Sequence, residues 1–317
     1  MRKVLICGAS GFIGRNLFES LSQRSDMDVY GTYLSRRFSK SEKLIKADLT
    51  DKEWARTVTQ RMDIVINCAA ITDGSGAVAS NPERYITDNI RINTNVIESA
   101  YENKVSNFIF LSCSIVYPWI NRNPAKEQDV DLANIHPQYF MGSRLKLFSE
   151  DLCLFLSGLS NNRTGFTIIR HSNLYGPHDK FNLDKSHVFA ATLTKIMEAR
   201  EGQTINVWGH DKQSRDFLHI SDFVRFIDVL INIKTINYQT INAGSGKLTL
   251  IRDVASKINS VSGRNLPIKF DLSKPSIDTS IFLELSKAKS LGWQPEIDID
   301  QGIRQTIDWY LKNKKGE

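Results

Sequence analysis

Short unbroken apolar runs alternate with amphipathic stretches through the first half of the chain. Lys3 to Cys7 (KVLIC) reads as a strand, Gly14 to Gln23 as a helix, and Asp28 to Tyr33 as a second strand. A third short strand precedes Asp48, and others are expected at Ile64 to Ala69, Phe108 to Cys113 and Phe166 to Arg170. Helices predicted over Ile90 to Asn103 and Ser143 to Leu156 separate the later strands. Continuous apolar runs mark strands covered on both faces, hence a parallel sheet with helices on each side. Crossovers of this length give a doubly wound sheet. The expected fold class is α/β, a Rossmann-type doubly wound parallel sheet with a smaller C-terminal α/β region.

Beyond residue 172 the pattern loosens into polar loops. Helical spacing returns near Val188 to Arg200, Asp222 to Ile233, Leu250 to Val261 and Ile299 to Leu311, with a strand at Thr240 to Gly244. Neither a repeat nor a low-complexity linker interrupts this half. The expected division is a dinucleotide-binding domain from residues 1–172 plus about 216–245, and a substrate-binding domain from about 173–215 plus 246–317.

The chemistry begins where the first strand meets the first helix. Gly8-Ala9-Ser10-Gly11-Phe12-Ile13-Gly14 stands there. Gly8 suits the tight turn, Gly11 lets the backbone approach a pyrophosphate, and Gly14 lets the helix pack close to the strand. The helix start adds free N–H groups and a positive dipole end. About 20 residues on, an acid would bind the adenosine ribose. Here the second strand runs instead into Leu34-Ser35-Arg36-Arg37. An arginine at that point suits a 2′-phosphate, so Arg36 favours NADP(H), with NAD(H) the alternative. Asp48 and Leu49 are placed to touch adenine, and Ala69 and Ala70 to flank the pyrophosphate or nicotinamide ribose.

Composition narrows the class. The 317 residues carry 41 Lys and Arg against 35 Asp and Glu, a net charge of +6. Basic and acidic residues interleave, and only the terminal LKNKKGE is dense in lysine, so nucleic acid is not the expected partner. A basic balance suits a phosphorylated substrate. The four cysteines, Cys7, Cys68, Cys113 and Cys153, form no CxxC pair and read as reduced thiols in a cytoplasmic protein. No run approaches the roughly 18 apolar residues of a membrane span. His178, His210 and His219 have no partner at metal-ligand spacing, and no metal is expected.

Taken in order, GASGFIG, ADLTD, NCAA, VYP, NLYGPHD and LGWQP resemble the extended short-chain dehydrogenase/reductases that act on nucleotide sugars. The segments Asn173 to Lys195 and Val207 to Asp222 are most similar to the GDP-L-fucose synthase branch, the GDP-4-keto-6-deoxy-mannose epimerase/reductases. The resemblance implies NADPH-dependent reduction of a 4-keto sugar on a nucleotide diphosphate. It implies a Ser or Thr four residues before the Tyr of VYP to orient the carbonyl, and a YxxxK helix whose Tyr gives the proton. It places His187 at the family's proton-exchanging histidine. Lys195 and Arg215 fall at positive residues around the diphosphate, with Trp208 beside them, and Asn173 opens the substrate-side loop. It also implies a homodimer joined through the helices Ile90 to Asn103 and Ser143 to Leu156.

The sequence departs from that pattern at the chemistry. Four residues before Tyr117 stands Cys113, followed by Ser114, and the family's proton-exchanging Cys position holds Ile115. Lys146 falls on the catalytic lysine, which puts Gly142 on the tyrosine, while Tyr139 lies three residues earlier. A register starting from Tyr139 would put Ser143 at the lysine. Three accounts stay open: Tyr139 supplies the proton, water or a substrate hydroxyl fills the place left by Gly142, or hydride transfer has been lost. Residues two apart on a strand share a face, so Cys113 is a candidate to reach the space of Ile115. C4-keto reduction is the leading expectation. An NAD-dependent epimerase/dehydratase and a catalytically silent dinucleotide-binding relative are the alternatives.

Overall fold

A computed structural model of the chain describes residues 1–72, 82–119, 123–159, 163–233, 237–274, 277 and 279–314. The first apolar run forms β1 (Arg2–Cys7), followed by α1 (Phe12–Leu21), β2 (Met27–Tyr33), β3 (Leu44–Lys46) and α2 (Lys52–Thr59). Next come β4 (Ile64–Asn67), α3 (Pro82–Glu102), β5 (Asn107–Cys113), α4 (Phe140–Leu159) and β6 (Gly165–His171). Most element ends shift by one to three residues from expectation, as at α1 and α4, and two shifts have a local cause. β4 stops at Asn67, because Asn67 Oδ1 accepts the Ala69 N–H at 3.2 Å and turns the chain out of the ladder. α3 starts at Pro82, well before Ile90; Pro is pre-shaped for a first helical turn.

The remaining elements are β7 (Asn173–Tyr175), α5 (Val188–Glu198), β8 (Ile205–Trp208), β9 (Ser214–Arg215), β10 (Phe217–His219) and α6 (Ile220–Ile231). They end with β11 (Tyr238–Ala243), β12 (Thr249–Leu250), α7 (Ile251–Val261), β13 (Ile268–Asp271), α8 (Ser286–Ser290) and α9 (Ile299–Lys314). The lysine-rich tail falls partly on 315–317, outside the described residues.

Seven strands make one sheet in the order β11-β6-β5-β4-β1-β2-β3, parallel throughout. The order reverses between β1 and β4, and in such sheets a crevice opens there beyond the strands' carboxyl ends. Leu17, Phe18 and Leu21 of α1 and Phe223, Phe226 and Leu230 of α6 cover one face. Val58 of α2, Val96 and Ile97 of α3 and Leu156 of α4 cover the other. The loosely patterned residues pack separately: Phe189 and Leu193 of α5, Val254 and Ile258 of α7 and Ile303 and Ile307 of α9 share a third core. Three two-stranded ribbons, β10–β7, β12–β9 and β13–β8, frame that region. No described helix is long and apolar enough to cross a membrane.

Candidate active site

The turn between β1 and α1 is crowded on one side and open on the other. Gly8 adopts φ +75°, and a Cβ there would stand 2.7 Å from Ala69 Cα in the loop after β4. A Cβ on Gly14 would stand 2.3 Å from the Gly8 carbonyl oxygen. At Gly11 the nearest atom would be that same oxygen, at 3.3 Å, so the outer side of the turn is clear. Gly11 precedes α1 and no side chain caps the helix. The N–H groups of Phe12, Ile13 and Gly14 therefore lack intrahelical acceptors at its positive end, and the cradle fits a pyrophosphate.

The expected cofactor residues surround this cradle unequally. The side chains of Phe12 and Ile13 pack against the core, so these residues present only main chain to a ligand. Leu49 is likewise a core residue, 5% exposed, on the opposite face of the sheet. Ser10 and Ala69 are half-buried, while Ala70 and Asp48 are exposed. Asp48 Oδ1 accepts from the Thr50 N–H at 3.0 Å. Arg36 is exposed on the loop after β2, whereas Arg37 is turned back onto the Ser41 carbonyl at 2.8 Å. Arg15 of α1 lies 5.0 Å from the Phe38 ring centroid, a second cation at this end that the sequence reading passed over.

At the carboxyl ends of β5 and β6 a narrow cavity of about 30 Å³ is lined by Ser114, Ile115, Tyr139, Asn173 and Arg215 among others. Ser114 enters it because β5 ends at Cys113 and the chain tightens into a 3-10 turn over Ser114–Val116. That turn breaks the strand alternation. Ile115 lines the cavity and Cys113 does not, so the expected sharing of one face by these two residues is not realised. Tyr139 enters from a 3-10 turn, Pro137–Tyr139, one step before α4. Burial pushes its phenol upward, the Arg215 charge pulls it down, and Cys113 adds a smaller upward push.

Lys146 lies farther along α4, its Nζ donating to the Leu111 carbonyl at 2.7 Å and resting 4.8 Å from the Phe110 ring centroid. Burial lowers its pKa, and Cys113, Glu150 and Cys68 raise it. The Cys113 thiol is pushed up by burial, with Lys146 working against that shift. Cys113 thus sits within electrostatic reach of both Tyr139 and Lys146. Gly142 does not line the cavity; a Cβ there would meet only Ile115 Cδ1, at 3.4 Å. Ser143, which the other register would put at the lysine, buries its hydroxyl on the Ile115 carbonyl at 2.6 Å. Lys146 is thus held under the end of β5, and Tyr139 rather than Gly142 lines the cavity.

On the substrate side, Asn173 Nδ2 donates to the Asp216 carbonyl at 3.3 Å and faces the cavity. Arg215 Nη1 donates to the carbonyls of Ser214 and Thr279 at 2.7 and 2.6 Å. Its two acidic neighbours in sequence are engaged elsewhere: Asp211 with Arg252, and buried Asp216 with the N–H groups of Ser245 and Leu283. Lys195 and Trp208 meet in a separate patch, the Nζ 5.3 Å from the indole centroid, and neither lines the cavity. Exposed His187 stands at the N-cap of α5 without capping it, and its charge helps lower the pKa of His171. Among the described residues no three His, Cys, Asp or Glu side chains gather as a metal cage.

His171 was missed in the sequence. It is the last residue of β6, directly in register with Cys113 at the end of β5. The available signal was positional: Ile169 and His171 are two apart, as are Leu111 and Cys113, so both pairs run off the sheet on one face.

Residues 4–244 match the model of the NAD dependent epimerase/dehydratase family. The chain is 29% identical to GDP-L-fucose synthase of Escherichia coli K12, covering 99% of this chain and 98% of the relative. It is 32% identical to GDP-L-fucose synthase 1 of Arabidopsis thaliana, over 78% and 77%. Among solved structures, a GDP-6-OMe-4-keto-L-xylo-heptose reductase from C. jejuni superposes with a TM-score of 0.83 at 23% identity, covering 98% of each chain. A UDP-glucose 4-epimerase from Thermotoga maritima also reaches 0.83, at 21% identity over 98% and 99%. With its glycine cradle at the sheet's reversal point and its lysine under the neighbouring strand end, the chain belongs to the NAD dependent epimerase/dehydratase family, among the extended short-chain dehydrogenase/reductases.

Proposed function

We propose that the chain is a NADP(H)-dependent oxidoreductase that reduces the C4 ketone of a nucleotide-diphosphate sugar. One observation carries the reading: the half-buried Tyr139 converges with Ser114, Asn173 and Arg215 in one cavity at the strand ends, and Cys113 lies within electrostatic reach of both Tyr139 and Lys146. A dinucleotide held in the glycine cradle would supply the hydride. The Ser114 hydroxyl holds the carbonyl oxygen, Tyr139 protonates it, and Lys146 fixes the nicotinamide ribose while adding positive potential near Cys113. Arg215 exchanges its carbonyl partners for diphosphate oxygens, which its planar fork grips in pairs. Lys195 and Trp208 form an outer platform for the nucleotide, and His187 assists from the mouth of α5.

Ile115 has no proton to exchange where the family's cysteine would stand, so reduction proceeds without epimerisation. The test is NADPH oxidation with a GDP-4-keto-6-deoxy sugar in deuterated solvent. Turnover is expected, with no solvent deuterium at C3 or C5. Arg36→Ala should lower the NADPH-to-NADH ratio of kcat/KM about ten- to a hundredfold, the worth of a charge-assisted hydrogen bond. An unchanged ratio removes the NADP assignment. A second reading, a silent dinucleotide-binding relative, is favoured by Gly142. Binding without turnover, persisting in Gly142→Tyr, establishes it.

The working unit is a homodimer. On α4, Met141, Phe148 and Phe155 are 51, 53 and 63% exposed and recur every seven residues, a stripe that pairs well with another helix. A second copy covers it. Phe148→Asp with Phe155→Asp should give a monomer by light scattering. A wild-type chain that is already monomeric at micromolar concentration overturns this.

A further inference from the structure

Tyr139 reaches the cavity with its phenol O–H unpartnered among the described residues. The ring is half-buried and belongs to none of the apolar cores. Its direction is therefore set by the turn that carries it and by the rings beside it. His136 supplies both. Its Nδ1 accepts the Gln138 N–H at 3.2 Å, so the side chain caps the Pro137–Tyr139 turn. Its carbonyl accepts the Tyr139 N–H at 2.8 Å and closes the same turn. The imidazole then packs against the phenol, with ring centroids 5.7 Å apart and planes tilted by 56°. Behind it stands Trp119, edge-on at 5.0 Å, whose backbone N–H donates to the Asn134 carbonyl at 3.2 Å. All three rings line the cavity that contains Ser114.

We propose that His136 is the positioning residue for Tyr139: its imidazole caps the turn and braces the phenol, aiming the proton at the carbonyl that Ser114 holds. The proposal rests on the reading that Tyr139 is the proton donor. A general acid must stand within hydrogen-bond reach of the oxygen it protonates, and a misplacement of about 1 Å can cost on the order of a hundredfold. The cap matters here because the turn is a single 3-10 triplet with few bonds of its own. Pro137 has no N–H, so the Gln138 N–H is the first donor of the turn, and the imidazole takes it. A Ser or Asp would cap equally well. Neither would offer a ring for the phenol to lean on, which is what a histidine adds.

The experiment is a double-mutant cycle on kcat, with NADPH and a GDP-4-keto-6-deoxy sugar as substrates. His136→Ala removes cap and ring, His136→Asn keeps an acceptor for the Gln138 N–H, and His136→Phe keeps the ring. His136→Ala should lower kcat about ten- to a hundredfold, with the sugar KM within about twofold of wild type. His136→Asn and His136→Phe should each recover part of that loss. In a Tyr139→Phe background, His136→Ala should cost less than about twofold, because a residue acting through the phenol has nothing left to position. An equal loss in both backgrounds, a raised KM at unchanged kcat, or no loss at all overturns the proposal. If His136→Ala does not fold, the cycle is read with His136→Phe, which fills the same space. A wild-type chain without turnover, or a Tyr139→Phe variant as fast as wild type, instead defeats the assignment of the proton to Tyr139.

Discussion

Tyr139→Phe should lower kcat by about 10²–10⁴ while leaving the KM of the nucleotide sugar close to wild type, the loss expected when a positioned general acid is removed. The reasoning starts from helix geometry. Lys146 holds its place on the Leu111 carbonyl, and the residue four earlier, Gly142, has no side chain to offer a proton. Tyr139 stands one turn farther back, released from helical geometry by the Pro137–Tyr139 turn, and it reaches the cavity that contains Ser114. Burial raises its pKa, against the pull of Arg215, so the phenol stays protonated at neutral pH. A reduction that depends on it therefore has no descending limb at neutral pH; any such limb appears only as the solution becomes strongly alkaline. Stopped-flow measurement of the hydride step in both proteins checks the prediction. A Phe variant as fast as wild type assigns the proton to water in the room beside Gly142. Gly142→Tyr in the Phe background should then restore a phenol four residues before Lys146.

Glu150→Ala should destabilise the fold by about 3–5 kcal/mol, the usual cost of leaving a buried charge without its partner. Arg170 on β6 donates from Nε to both Glu150 carboxylate oxygens at 3.2 Å, and a second guanidinium nitrogen adds a shorter bond. The two side chains are 7 and 3% exposed. Ser112 donates to the same carboxylate, Arg170 Nη1 reaches the Glu127 carbonyl at 2.7 Å, and Tyr117 bonds Asn242 on β11 at 2.6 Å. This polar block joins α4 to β5, β6 and β11 directly beneath the cavity. Removing the carboxylate leaves the guanidinium in a low-dielectric interior with nothing to neutralise it. Urea unfolding of Glu150→Ala reads the loss directly. Glu150→Met with Arg170→Leu should recover most of it, since apolar replacement of a whole pair is often near neutral. A single variant within 1 kcal/mol of wild type would mean that water enters the block and solvates Arg170.

The two predictions differ in how visible their residues were beforehand. Lys146 and Glu150 follow the periodicity of α4, and Arg170 lies inside an apolar run where a charge stands out. Their pairing was invisible, because nothing local says which of several charges is buried against which. Tyr139 was visible only as one candidate beside Gly142. What brings Tyr139 and not Gly142 to the cavity is a 3-10 entry to α4, a feature with no periodic signature.

The sequence by itself determined the sheet and its cradle. Continuous apolar strands, crossover lengths and glycines at Gly8, Gly11 and Gly14 are local requirements: steric exclusion leaves those positions little choice of residue, and burial on both faces leaves the strands little choice of pattern. Tertiary structure alone decided the contents of the cavity. It turned Ser114 and Ile115 inward through the 3-10 turn that follows Cys113, drew Tyr139 in from another element, and aligned His171 with Cys113 across the sheet. Those relations are set by strand register and by where regular structure stops. Both depend on the sum of packing over the whole sheet, to which no short stretch of sequence has access.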